Sequence, residues 1–325
     1  MKLIRRLLEK FNGNHYPQDY LCLAKESFDH PLNLYLIAGG QVIKDITNQH
    51  AFTGYSPVLF ALTVARESRS DVHDIITLAF TDQPLHPNVS FAEKDAVAFL
   101  RLKKINEKHT GNVTILFYEA EYGAHRFLSP FHQALGKLHN RLYNRKKGNV
   151  FLPGNLFTQV QIAYSLPRNI SLITIGQHGL YNLFPTDLHG PAGGEHYIIS
   201  LRHQGKAALQ VEETRSILLT QVHSEVFKTV YSLGKNHMQD LKEISRFPFS
   251  KEVSETLHLP LPEEALYYRE LEWVYSFKQG IHRIFVFRVL LQKECRRTGS
   301  TLAHIHAGYA SWRHNKGLSG NYLLR

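Results

Sequence analysis

Apolar runs and turn-forming residues alternate most regularly between residues 170 and 201. An apolar run from Ile170 to Ile175 ends where Gly176–Gly179 reads as a turn. A second run begins at Leu180 and ends at Phe184, where Pro185 is expected to stop it. A polar loop through Pro191, Gly193 and Gly194 follows, and Tyr197–Leu201 reads as a third strand. Strands punctuated in this way predict a small antiparallel barrel. The segment carries Asn182, Thr186, Asp187 and His189 among residues of little bulk, where backbone N–H groups can approach a flat polar ligand.

The remaining pattern divides the chain. Residues 32–40, 56–67, 74–81 and 113–122 read as strands, the first ended by glycines. Residues 90–109 read as a helix capped by Ser90, with Glu93 completing a capping box. Phe131, Leu135, Leu138 and Leu142 stand at helical spacing within 130–147, with a basic opposite face. Gly148 and Asn149 stop that helix, so the expected domains are 1–149 and 150–325. Residues 224–241 begin as a helix with Ser224 as cap. It breaks at Gly234, expected as a left-handed cap. Residues 266–277 and 281–294 form a hairpin across Lys278, Gln279 and Gly280. The first eleven residues read as a helix and not as a signal peptide.

An internal repeat is one reading of the first half. Residues 36–62 and 172–201 both run strand, Gly-Gln, strand, loop with His and Gly, strand. EYGAHRF at 121–127 also echoes KQGIHRIF at 278–285. Duplicated architecture leaves such marks; chance similarity leaves them too.

Composition narrows the choices. A chain of 325 residues has room for about two domains. With 43% hydrophobic and 20% charged residues it is globular in character, and no stretch approaches the roughly 20 apolar residues of a membrane span. Cys22 and Cys295 match no metal spacing, which favours a reducing, cytoplasmic setting over a disulfide scaffold. The net charge of +10 suits nucleic acid, an anionic membrane or a phosphorylated ligand. The clusters at 141–148 and 294–299 lack the interleaved aromatics of a single-strand binder, so neither nucleic acid nor a membrane is expected as partner. Of 20 histidines, His304 and His306 alternate as strand ligands would. No third ligand accompanies them, and no metal is expected.

From about residue 158 the order of segments resembles the flavin-reductase-like, FMN-binding split-barrel family. The likeness rests on SLPRNISLITI, GQHGLYNLFPTDLHG, YIISLRHQGKAALQVEETRSILLT, LYYRELEWVYSFKQGIHRIFVFRV and IHAGYASWR in that order. It implies a mainly β, α+β chain whose C-terminal domain is a six-stranded Greek-key split barrel. The N-terminal α+β domain is then either distinct or a degenerate copy of that barrel. It further implies FMN in a groove at a homodimer interface. The ring is gripped by backbone groups, and the phosphate by basic and hydroxyl side chains.

Carried onto this sequence, Asn182, Phe184, Pro185, Thr186, Asp187 and Leu188 face the flavin, and Ser200, Arg202 and Lys206 hold the phosphate. His237 lies near the ring, and His282 is the candidate catalytic proton donor. Ala207 and Ala208 stand where the family often has Ser or Thr, and the GPAGG insertion lengthens the loop. Each residue also has a plainer reading. Asn182 and Asp187 suit turns, Arg202 and Lys206 a solvated strand end, and His282 a strand start bonded to a carbonyl. Trp273 and Trp312 suit a core or a dimer surface.

The function implied is NAD(P)H-linked flavin reduction or FMN-dependent electron transfer, with NADH or NADPH as donor. No GxGxxG is present, so the nicotinamide would stack on the flavin. The alternatives are a non-enzymatic flavin- or haem-binding protein and a basic scaffold that binds a partner.

Overall fold

The structure, a computed structural model, describes residues 16, 18–66, 73–143, 151–318 and 323–324. The helix expected over the first eleven residues and most of the 141–148 basic cluster lie outside them. The chain divides into two compact units. One comprises residues 1–21, 27–167 and 305–321; the other comprises 22–26, 168–304 and 322–325. Strand β1 (Tyr20–Leu23) opens the described chain.

The first unit carries β2 (Asn33–Ala38), β3 (Gln41–Asp45), β4 (His50–Tyr55), β5 (Val58–Ala65), β6 (Ile75–Thr81), β7 (Ala98–Thr110) and β8 (Val113–His125), followed by helices α1 (Pro130–Tyr143) and α2 (Leu156–Ala163). Its sheet runs β3-β2-β6-β7-β8-β5-β4, antiparallel throughout.

The second unit carries β9 (Arg168–Gln177), β10 (Leu180–Thr186), β11 (His189–Pro191), β12 (His196–Arg202), helix α3 (Lys206–Thr214) and β13 (Ser216–Val222). Next come helix α4 (Phe227–Ser232), short strands β14 (Lys242–Glu243), β15 (Phe249–Val253) and β16 (Pro260–Pro262), and the long hairpin β17 (Ala265–Gln279) and β18 (His282–Glu294). Strand β19 (Leu302–His306) pairs with β9, and helix α5 (Ala307–Asn315) belongs to the first unit. The main strands pair in the order β10-β9-β13-β17-β18-β12-β11.

Lettering the seven principal strands of each unit a to g in chain order, both sheets run b-a-e-f-g-d-c. The two units therefore share one strand order. Strands a and b are joined in each unit by a two-residue turn with both φ angles positive. Gly39 and Gly40 (+57° and +77°) make one turn, and His178 and Gly179 (+52° and +77°) the other. Such turns follow the right-handed twist of a hairpin. This equivalence matches Gly40 with Gly179, so the Gly-Gln alignment read from sequence is out of step within the correct strands. The second echo fails. EYGAHRF ends strand g of the first unit, while KQGIHRIF spans the f–g turn of the second.

Period-two alternation builds the second core. Ile173 and Ile175 of β9, Ile217 and Leu219 of β13, and Phe285 and Phe287 of β18 point to one side, against Ala207, Ala208 and Val211 of α3. Burying each large apolar side chain contributes about 1.5–3 kcal/mol.

Four local expectations need correction. Residues 98–110 are strand β7, not a helix, and only Glu93–Asp95 form a single 3-10 turn. Leu100 and Leu102 are buried while Arg101 and Lys103 are not; pairing with β6 and β8 overrides the helical preference of Lys and Glu. Pro185 does not end its strand: β10 continues to Thr186, with Pro185 opposite Leu172. That stretch pairs with β9 alone, so the missing N–H costs no ladder bond. Gly234 is no left-handed cap. It lies within a 3-10 helix, Leu233–Met238, that continues past α4. The loop expected after Pro185 also contains β11. Among the described residues, no helix is long and apolar enough to cross a membrane.

Candidate functional site

The residues singled out in the sequence fall into three groups. The first is structural. Phe184 is fully buried in the second core. Asn182 is fully buried too. It lies mid-strand, not in a turn, and its Nδ2 donates to Gln210 Oε1 (2.8 Å) and to the carbonyl of Asn236 (3.1 Å). It thus ties β10 to α3 and to the 3-10 helix, while its Oδ1 has no hydrogen-bond partner. Leu188 is buried; Pro185 and Thr186 are half-buried.

A second group assembles at the end of β12. Arg202 and His282 are directly opposed across β12 and β18. Ser200 Oγ is 3.2 Å from His282 Nδ1. His282 is buried and its pKa is pulled down to about 4. Burial is the main cause, the charges of Arg202 and His203 add to it, and Asp187 opposes. His237, with Nδ1 against the Gly234 carbonyl, is also lowered, by burial first and by Arg202. The exposed guanidinium of Arg202 therefore acts on both imidazoles. Gly205 allows the close approach: a Cβ there would lie 3.1 Å from the Arg202 carbonyl and 3.3 Å from that of His237. Lys206 stands apart from these groups, exposed and paired with Asp240.

The third group centres on Asp187, between β10 and β11. Asp187 Oδ2 is 2.9 Å from His304 Nδ1, and His304 Nε2 meets the hydroxyl of Tyr231. With the carboxylate as acceptor, Nδ1–H donates to Asp187 and Nε2 accepts from Tyr231. A proton can move along such a chain. His189, 2.8 Å from Tyr197 Oη, is lowered to about 4 by burial, and burial pushes Tyr197 up to about 12. No local sequence signal marks Tyr231, and at His304 the sequence shows only its alternation with His306. Long-range packing brings them together across 73 and 117 residues.

A cleft of about 690 Å³ opens beside Leu180 and the 3-10 helix. Lys235, Lys242 and Arg246 stand around it, with Leu241 and Phe247 as apolar wall. Asn236 and Gln239, whose backbones hold Asn182 and Gln210, also line it. The second unit thus holds an exposed arginine, a buried hydroxyl–imidazole pair and a cleft whose lining includes three cations and Glu243.

No protein-family model and no curated protein matches the chain. The solved structures it is similar to include an FMN-binding protein, an NADH:FAD oxidoreductase and a flavoredoxin. The FMN-binding protein from Thermus thermophilus with bound p-hydroxybenzaldehyde is 18% identical, over 39% of this chain and 72% of that one, with a TM-score of 0.35. The Streptomyces globisporus C-1027 NADH:FAD oxidoreductase SgcE6 is 12% identical, over 50% and 96%, with a TM-score of 0.41. The flavoredoxin from Methanosarcina acetivorans is 14% identical, over 40% and 70%, at 0.35. Similarity at this level does not carry function to this chain.

Proposed function

We propose that this protein binds a flavin, FMN in the first instance, through its second unit and uses it in NAD(P)H-linked electron transfer. The observation that carries this reading is the meeting of Ser200, Arg202, His237 and His282 at one strand end. The family likeness of the sequence calls for the phosphate end of the ligand there. The strand pairing supports it. β10 pairs with β9 and β11 with β12, and only Asp187 and Leu188 separate β10 from β11. A single bent strand thus links the two ends of the sheet, as a closed split barrel requires.

Bound flavin would accept and release electrons, chemistry that belongs to the cofactor. The chain would do the rest. Arg202 would hold the phosphate by charge-assisted bonds, each worth about 1.5–3 kcal/mol. His282, neutral at physiological pH because burial holds its pKa near 4, would offer a hydrogen bond whose direction Ser200 selects. The Asp187–His304–Tyr231 chain would hold a proton at the tyrosine hydroxyl. Asn182 would brace β10 from behind. Homodimer formation would add the partner surface that the likeness implies.

An absorbance spectrum of the purified protein tests this first. Flavin bands that bleach on anaerobic addition of NADH or NADPH support the reductase. Bands that persist support a flavin binder without nicotinamide chemistry. A colourless protein that takes up no FMN on titration overturns the reading.

A further inference from the structure

Helix α1 sits in the first unit with its faces reversed. Phe131, Leu135, Leu138 and Leu142 form one stripe, and the structure turns three of them outward while Leu135 is half-buried: Phe131 is 67% exposed, Leu138 51% and Leu142 64%. The face turned inward, about 180° away at 3.6 residues per turn, is polar or small. Gln133 Nε2 donates to the carbonyls of His125 and Leu128 (2.9 Å each). Asn140 Nδ2 donates to the carbonyl of Leu152 (2.8 Å). Gly136 lets the helix close onto Phe157. An isolated soluble unit would be expected to bury the leucines and expose the amides. Here hydrogen bonds dock the helix and the apolar stripe is left for something else.

Beside the stripe runs a groove of about 600 Å³, lined by Ala134, Leu138, Phe151 and Pro153, with Lys137 and Arg141 among its walls. Neither cation is ion-paired to an acidic side chain among the described residues. The sequence holds no Asp or Glu between Glu121 and Asp187. An occupant must therefore be apolar where it meets the stripe and anionic at the flank. A second copy of this chain, at net charge +10, brings like charge to the same place. So does the chain's own N-terminal stretch, with Lys2, Arg5, Arg6 and Lys10 against Glu9. An outward apolar row flanked by cations on a helix of low overall hydrophobicity is the form of an interfacial helix.

We infer that α1 is a docking surface for an anionic phospholipid membrane. The helix lies in the headgroup layer with Phe131, Leu138 and Leu142 inserted and Lys137 and Arg141 on lipid phosphates. An acyl chain or its upper carbons fits the groove against Phe151 and Pro153. This departs from the expectation that the protein has no membrane partner, and it is independent of the flavin reading.

Co-sedimentation of the full chain with vesicles tests it. Vesicles of phosphatidylcholine mixed with phosphatidylglycerol are expected to retain the protein, and pure phosphatidylcholine to retain it at least about tenfold less. Retention is expected to fall as salt rises. Replacing Phe131, Leu138 and Leu142 by Ser should abolish retention. Lys137→Glu with Arg141→Glu should lower it at least about tenfold. Far-UV circular dichroism and the unfolding midpoint should match the parent for both variants, because the replaced side chains are exposed. Equal retention on neutral and anionic vesicles, retention unchanged in both variants, or no retention at all would overturn the proposal. So would light scattering that shows a dimer lost in the Ser variant when no vesicles are bound: the stripe would then be an interface between copies, or with an acidic protein if one is captured instead.

Discussion

The two units share one strand order and differ in what stands at matched places. Strand d meets strand g at its last pair, which is Arg202 with His282 in the second unit and Ala65 with Val113 in the first. Two residues back along strand d, Ser200 corresponds to Thr63. The cation and the imidazole of one sheet are thus a methyl and an isopropyl group in the other. The comparison separates two kinds of information. Alternating apolar residues and tight turns specify the order b-a-e-f-g-d-c in both. A handful of positions at strand ends differ, and in the second unit they carry Ser200, Arg202 and His282.

The largest expected effect breaks what the units share. Phe285→Ala in the second core and Phe117→Ala in the first, both fully buried, should each cost about 3–5 kcal/mol in denaturant unfolding. A change under about 1 kcal/mol for either would mean that its sheet is not closely packed.

Acid should destabilise both units together. His125 and His306 in the first unit are lowered to about 4 and about 3, and His282 in the second to about 4, all chiefly by burial. The unfolded chain takes up these protons near pH 6.5, and the folded chain resists until about pH 4. Stability is therefore whole above pH 6.5 and falls between 6.5 and 4, by up to about 3 kcal/mol for each such histidine. A midpoint that stays flat from pH 7 to about 5 would contradict this.

A sharper contrast lies in Glu270, the only fully buried acid among the described residues. Burial alone would raise its pKa. Hydrogen bonds from the N–H groups of Leu257 (2.7 Å) and Thr256 (2.8 and 3.1 Å) outweigh burial and hold it below the usual carboxylate value of 4.5. Its contribution is present above pH 4.5 and is lost as pH falls through the folded value. Glu270→Gln should cost about 1–3 kcal/mol at neutral pH, with the difference shrinking in acid. A difference that grows below pH 4.5 would reverse the sign argued here.

The smallest effect on stability is the one that tests the site. Arg202→Ala should weaken FMN binding at least about tenfold, or about 1.4 kcal/mol, and leave the unfolding midpoint in place. Ala65→Ser, at the matched position of the first unit, should change neither. Unchanged FMN affinity in Arg202→Ala would put the phosphate elsewhere, and the cleft at Lys235 and Arg246 would be the next place to examine.

Much of the fold was legible because it is local. Apolar runs between turn residues marked strands a, b and d of the second unit, and Gly280 marked the f–g turn. The repeat was visible as an order of segments, although its register was not. β7 was not legible, because Lys, Glu and Ala favour helix and only its two neighbours make it a strand. At the site, Ser200, Arg202 and His282 were legible once their strands were drawn. Tyr231 and the role of His304 were not, since nothing local links them to Asp187. The sequence places Asn182 toward a ligand; its Nδ2 holds α3 and the 3-10 helix, and its Oδ1 is left without a hydrogen-bond partner.

Each unit is completed by the far end of the chain. Arg313 of α5 donates to the carbonyls of Asp29 and His30 in the first unit. In the second, the Leu324 N–H donates to the Cys22 carbonyl, and Asn169 and Thr301 both hold Glu26. During synthesis the ribosome cannot therefore release a finished N-terminal half and then begin the other. The first unit lacks α5 until residues near 313 have been made, and a chain that stops short of them lacks the Arg313 bonds to Asp29 and His30.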